Sequence, residues 1–169
     1  MTQRNEALAT AFEQVARRIV TTAEGMSDAA WDVVPAGEAR TAGQIAYHMV
    51  KVYHNVSGFM QLAVAGQPLP ALTMESIHDL NAEQATHSAG VGRAGTLELL
   101  RQNGADTAAL LRTLSDAQLD TATVFLGHPM TVESLAQNGL VGHTEEHLAS
   151  IQRARRAERS TLLGRAGGG

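Results

Sequence analysis

Residues 131–151, TVESLAQNGLVGHTEEHLASI, decide the fold. Thr131 is a good helix N-cap, and Glu133 puts a carboxylate in the first turn, where the helix dipole favours it. Leu135, Leu140, His143, His147 and Ile151 then form one inward stripe. Arg153, Arg155 and Arg156 follow at the end, where positive charge complements the C-terminal carbonyls. The pattern predicts one long amphipathic helix closing near Arg156.

Three more segments of this kind precede it. Residues 5–23 carry Leu8, Phe12, Val15, Ile19 and Val20 at spacings of three and four, and Gly25 stops the run. Ser27 caps a short turn through Trp31, and Pro35-Ala36-Gly37 breaks the chain again. Thr41 caps a second long helix reaching about residue 65, with Ile45, His48, Val52, Asn55 or Val56, Phe59 and Leu62 as its stripe. Gly66-Gln67-Pro68-Leu69-Pro70 cannot continue a helix. Residues 74–88 read as a short polar helix and 88–95 as a break. The third long helix follows, with Leu97, Leu100, Ala108, Leu111 and Leu114. Residues 121–126 are β-prone, but a single short run does not make a sheet, so they are expected to be an extended connection ending at Gly127-His128-Pro129.

Four long amphipathic segments predict an all-α fold: a four-helix bundle with a short helical insertion between the second and third long helices. Residues 1–160 are expected to form a single domain and residues 161–169, ending in three glycines, a flexible tail.

Composition narrows the function. The 169 residues include 13 Lys and Arg against 17 Asp and Glu, a formal net charge of −4, which opposes general binding to nucleic acid or anionic membrane. Aromatics make up only 4%, too few for a base-stacking platform. No apolar run approaches a membrane span, and Met1 to Glu6 lacks an apolar signal core, so a cytoplasmic protein is expected. Cysteine is absent, which removes disulfides, thiolate ligands and Cys nucleophiles. Chemistry must be sought first among the seven histidines.

His143 and His147, four apart on one helix, present two imidazoles to one point. His48 lies on the stripe of the second helix, and a bundle can bring all three together. Three neutral imidazoles with open positions suit a catalytic divalent-metal site. Spacing and stripes alone leave two readings equally open: a ligand set, or ordinary core and surface histidines. Thr144 stands where a zincin needs Glu, and neither His147 nor His48 has a Glu three residues before it, so a zincin and a di-iron bundle are both disfavoured. His54 lies about 600° further round the helix than His48 and points away. Asn55 returns to the His48 face and is a candidate for orienting substrate, or a buried amide making ordinary hydrogen bonds. His78, His87 and His128 read as solvated or turn residues. Glu145 or Glu146 could back an imidazole, although surface solvation is the plainer reading.

The segments around Trp31, Pro35 and Arg40-Thr41-Ala42-Gly43-Gln44-Ile45-Ala46-Tyr47-His48-Met49, the run Leu114-Ser115-Asp116-Ala117-Gln118-Leu119, and the stretch Met130 to Ile151 together resemble the DinB/YfiT-like superfamily of metalloenzymes. The resemblance spans nearly the whole chain in order. It implies a four-helix bundle that holds a divalent metal (Zn, Ni or Fe) through one His of the second helix and a His-x-x-x-His pair of the last, here His48, His143 and His147. It also implies a small-molecule substrate, a homodimer, and S-transfer or isomerisation dependent on mycothiol, bacillithiol or another low-molecular-weight thiol. Members often carry Trp-Ser before the second helix, where this chain has Arg40-Thr41. The cap is kept and the aromatic is lost. A sulfur nucleophile would have to arrive from outside, because the chain has none of its own. The alternative is a non-catalytic metal-binding or stress-response bundle.

Overall fold

The computed structural model describes residues 3–166. Four long helical rods pack around one core. Helix α1, Gln3–Glu24, buries Leu8, Phe12, Val15 and Ile19 as its periodicity requires. Helix α2 is the short Asp28–Trp31, capped by the Ser27 hydroxyl, which accepts the Ala30 N–H at 3.1 Å. Helix α3, Ala42–Val64, opens on a reciprocal cap in which the Thr41 and Gln44 side chains each take the other's backbone N–H.

The inward face of α3 differs from the predicted stripe. Met49, Tyr53, Val56, Met60 and Ala63 are buried, Val52 and Phe59 are half-buried, and Asn55 and Leu62 are exposed. A strict heptad read along a straight helix drifts by about 20° per seven residues, which carries its far end off the core.

Helix α4, Met74–Thr113, joins the predicted insertion and the third long helix in one element. The predicted break narrows to Gly92, whose φ of 69° and ψ of 176° lie outside the helical region. Before this kink runs an outer leg with Met74 and Leu80 exposed; after it Leu97, Leu100, Ala108 and Leu111 pack against α1 and α3. Asn5 closes the far end, its amide donating to the Arg112 and Leu114 carbonyls at 2.6 and 2.9 Å.

After α5, Asp116–Leu119, residues 121–131 correct the expected extended connection. Strand β1, Ala122–Phe125, pairs antiparallel with β2, His128–Thr131. The two-residue turn takes positive φ at both Leu126 (51°) and Gly127 (77°). Leu is a poor turn signal, and Pro129 suggested a break, yet a two-stranded ribbon has open edges where Pro costs no ladder bond.

The last rod is continuous: α6, Val132–Ala136, a π-helical segment at Gln137–Gly142, then α7, His143–Ala166. Thr131 caps it as predicted, accepting the Ser134 N–H at 3.1 Å. Helix α7 runs past Arg156 into the stretch expected to be a tail, and the three glycines at 167–169 lie outside the described residues. No helix among the described residues is long and apolar enough to cross a membrane.

The segment between α1 and α3 matters for the site and is tightly fastened. Arg93, next to the Gly92 kink, donates to the Met26 and Glu24 carbonyls at 2.5 and 3.1 Å, pairs with Asp28 at 2.8 Å, and lies 5.4 Å over the Trp31 ring. Trp31 in turn presses on the first turn of α3, where a Cβ on Gly43 would sit 2.1 Å from its Nε1. Gly43→Ala is therefore expected to displace Trp31 and destabilise the fold by about 1–3 kcal/mol. Gly58→Ala, in the same helix with nothing within 4 Å of a new Cβ, should instead stabilise by up to about 1 kcal/mol. Urea melts followed by Trp31 fluorescence read both, and equal effects would refute the close-approach explanation.

Candidate metal centre

His48 sits in the second turn of α3, its phase set by the Thr41 cap. His143 and His147 occupy the first turns of α7. Leu135 and Leu140 are both buried although five apart, a step that would place them about 140° apart round an ideal α-helix. The intervening π turn takes up the extra rotation, so the apolar stem of the rod and the histidine pair share one face. The Thr144 hydroxyl, fully buried, donates to the Leu140 carbonyl at 2.5 Å within this widened turn.

The structure brings the three predicted histidines together. Their rings lie 4.5–5.5 Å apart, centre to centre, each pair edge to face. One nitrogen of each falls within 4.8 Å of the other two. His48 Nε2 and His143 Nε2 face each other at 3.3 Å. His48 and His147 are 8% and 7% exposed, whereas the His143 side chain is 35% exposed and forms the open side.

Hydrogen bonds assign the His48 tautomer. Its Nδ1–H donates to Gln84 Oε1 at 3.0 Å, which leaves the Nε2 lone pair facing His143. Gln84 comes from the outer leg of α4, so the leg flanks the site. Behind His147, Glu38 Oε1 lies 4.0 Å from Nδ1 and accepts the Ser150 hydroxyl at 2.5 Å; Arg153 donates to that same hydroxyl oxygen at 2.8 Å. Glu146 Oε2 is 3.8 Å from His143 Nδ1 on the solvent side. Both ring nitrogens of His147 are buried without a hydrogen-bond partner.

All three imidazoles are held neutral. Burial drives His48 down to about 4, helped by Arg40 and His143 and opposed by the Gln84 bond. Burial, then the neighbouring His143 and His48, takes His147 to about 2. Burial also lowers His143, against the pull of Glu146. Neutral imidazole is the form that ligates metal.

The other predicted residues lie elsewhere. Asn55 is exposed two turns beyond His48, and His54, His78, His87 and His128 are exposed as expected. Glu38, Arg40, Gln84 and Ser150 are additions that sequence reasoning missed. Glu38 and Arg40 carried one signal: charged residues three and one positions before the cap of the helix that holds His48. Gln84 carried none, because a polar side chain on a polar helix reads as solvated.

The sequence pattern of the DinB superfamily matches residues 11–151. No curated protein sequence matches the chain significantly. YfiT from Bacillus subtilis, described as a probable metal-dependent hydrolase with an unusual four-helix bundle topology, superposes with a TM-score of 0.73 at 21% identity, over 94% of this chain and 90% of that one. A mycothiol-dependent maleylpyruvate isomerase superposes with a TM-score of 0.73 at 13% identity, over 89% of this chain; the match covers 63% of the isomerase, less than two thirds of its length. DfsB, a sibling lethal factor precursor, gives a TM-score of 0.73 at 16% identity, over 94% and 99% of the two chains. At these identities the likeness establishes the shared bundle fold.

The depressed histidines make stability depend on pH. Below the ordinary imidazole value of 6.5 the unfolded chain takes up protons that the folded site refuses, so stability is full above that value and falls as pH drops towards about 4. In chelator, urea midpoints measured between about pH 7.5 and 5 should fall more steeply for the native protein than for His147→Leu. Parallel curves would show that the site does not resist protonation.

Proposed function

The chain is a member of the DinB superfamily, and on that premise we propose that His48, His143 and His147 hold a divalent ion in an enzyme that acts on a small molecule together with a low-molecular-weight thiol. The observation that carries the metal reading is His147. Its two buried ring nitrogens have no hydrogen-bond partner, and it lies beside His48 and His143 in a group whose donor atoms are mutually within 4.8 Å. One of the two carries the ring proton and the other is an acceptor, and a buried orphaned acceptor is costly unless something electropositive completes it. Imidazole donors suit Zn, Ni or Fe.

A bound divalent ion would supply Lewis acidity that favours the thiolate form of a thiol or polarises a carbonyl. The chain's own residues supply the rest. Gln84 fixes the His48 tautomer through Nδ1, and the Glu38 carboxylate, anchored by Ser150, stands behind His147 as an orienting partner. The half-exposed edge of His143 keeps one side open to ligands. With no cysteine in the chain, the sulfur must enter with the co-substrate, mycothiol, bacillithiol or another small thiol, and leave in the product of S-transfer or be released after isomerisation. A cytoplasmic homodimer is the setting this reading carries. Asn55, exposed further along α3, would touch only the outer part of a bound molecule.

A second reading, a non-catalytic metal-binding or stress-response bundle, shares the metal-binding step and differs in the absence of turnover. Metal analysis and calorimetry test the common step: about one ion per chain in the native protein, lost in His48→Ala, His143→Ala and His147→Ala. Glu38→Gln should weaken binding by about 10–100-fold without abolishing it. Consumption of mycothiol, bacillithiol or glutathione against a panel of electrophiles then separates the readings. Full metal content in all three alanine variants would falsify both, and metal binding without any thiol turnover would leave the non-catalytic one.

A further inference from the structure

Arg40 is a guanidinium placed where solvation cannot satisfy it. Its side chain is 21% exposed, and its Nη1 is fully buried with no hydrogen-bond partner. Its Nη2 reaches Glu38 Oε2 only at 3.9 Å, the outer limit of an ion pair. The other oxygen of Glu38 is committed to the Ser150 hydroxyl and lies 4.0 Å from His147 Nδ1. Arg40 therefore stands one carboxylate away from the histidine group, and its charge bears on all three imidazoles. Burial lowers its own affinity for a proton, the mark of a desolvated cation.

We propose that Arg40 recognises substrate: its unpartnered Nη1 edge, beside His48, His143 and His147, takes a carboxylate carried by the small molecule on which the site acts. The geometry favours this class. Guanidinium offers parallel N–H donors that match a planar carboxylate, and such bonds are strongest where water is excluded. Charge favours it too. Three neutral imidazoles bring no negative charge to a divalent ion, and the two nearby carboxylates, Glu38 and Glu146, are matched by Arg40 and Arg153. The loaded site keeps a net positive charge that a thiolate and a carboxylate would together cancel. The proposal rests on the histidine group being the reaction centre, and it names the substrate class for that centre. The carboxylate could belong to the thiol or to the acceptor.

Two probe pairs distinguish those sources: mercaptoacetate against 2-mercaptoethanol, and pyruvate against hydroxyacetone. Each is titrated into the 15N-labelled protein, with and without zinc, and followed by amide chemical shifts. In the native protein the carboxylate member of at least one pair should bind about tenfold tighter or more, the effect of a charge-assisted bond. The pair that shows it identifies the source. In Arg40→Met the preference should vanish while zinc affinity holds within a few-fold. Arg40→Lys, a point charge without the fork, should retain part of it. Where Arg40→Met does not fold, Arg40→Gln, which keeps a donor but not the charge, is read in its place. No preference in the native protein, or the same preference in the charge-removing variant, overturns the proposal. Failure of zinc to bind the native protein instead overturns the metal reading, and the zinc-free titrations still decide the role of Arg40.

Discussion

The His147 imidazole is buried with both ring nitrogens unbonded, and the candidate site is arranged around that costly burial. A buried polar atom without a partner forfeits its bonds to water. Burial first, then the neighbouring His143 and His48 and the Arg40 guanidinium, oppose the simple remedy of protonation. Arg40 Nη1, nearby, is likewise buried without a partner, so two departures from a satisfied core meet at the histidine group, the pattern expected of a functional site.

Three separate devices hold the site together. The π turn in the last rod supplies the rotation that lets His143 and His147 face the core along with Leu135 and Leu140. The reciprocal cap at Thr41 and Gln44 sets the phase of His48. The Arg93–Trp31–Gly43 contact pins the segment between α1 and α3, and so positions Glu38 and Arg40 at the rim. Each acts on a different histidine or its neighbour, so the site draws on most of the bundle rather than on one motif.

The kink at Gly92 links the fold to the site. It sends the N-terminal leg of α4 outward while the remainder packs on α1 and α3, and the leg delivers Gln84 to His48. An unbroken helix would carry its early turns along the axis of the rest and away from this position. The polarity of the leg, which resembles an idle insertion in the sequence, is consistent with a segment that reaches the site through a hydrogen bond to a ring nitrogen.

The four rods and their caps at Thr41 and Thr131 were legible in the sequence, because helix periodicity and capping are local properties, whereas periodicity left the meeting of His48 with His143 and His147 open and only the resemblance to the superfamily implied it. The step of five between Leu135 and Leu140 even carried the trace of the π turn. What only the tertiary structure decided were the relations between segments distant in sequence: the hairpin pairing of Val124 with Pro129, the reach of Gln84 to His48, and the placing of Glu38 and Arg40 beside His147. Glu, Arg and Gln side chains are ordinarily solvated, so their types predict exposure. Their partial burial here arises from how the loop before α3 and the outer leg of α4 pack beside the histidines, and no periodicity within either segment encodes that.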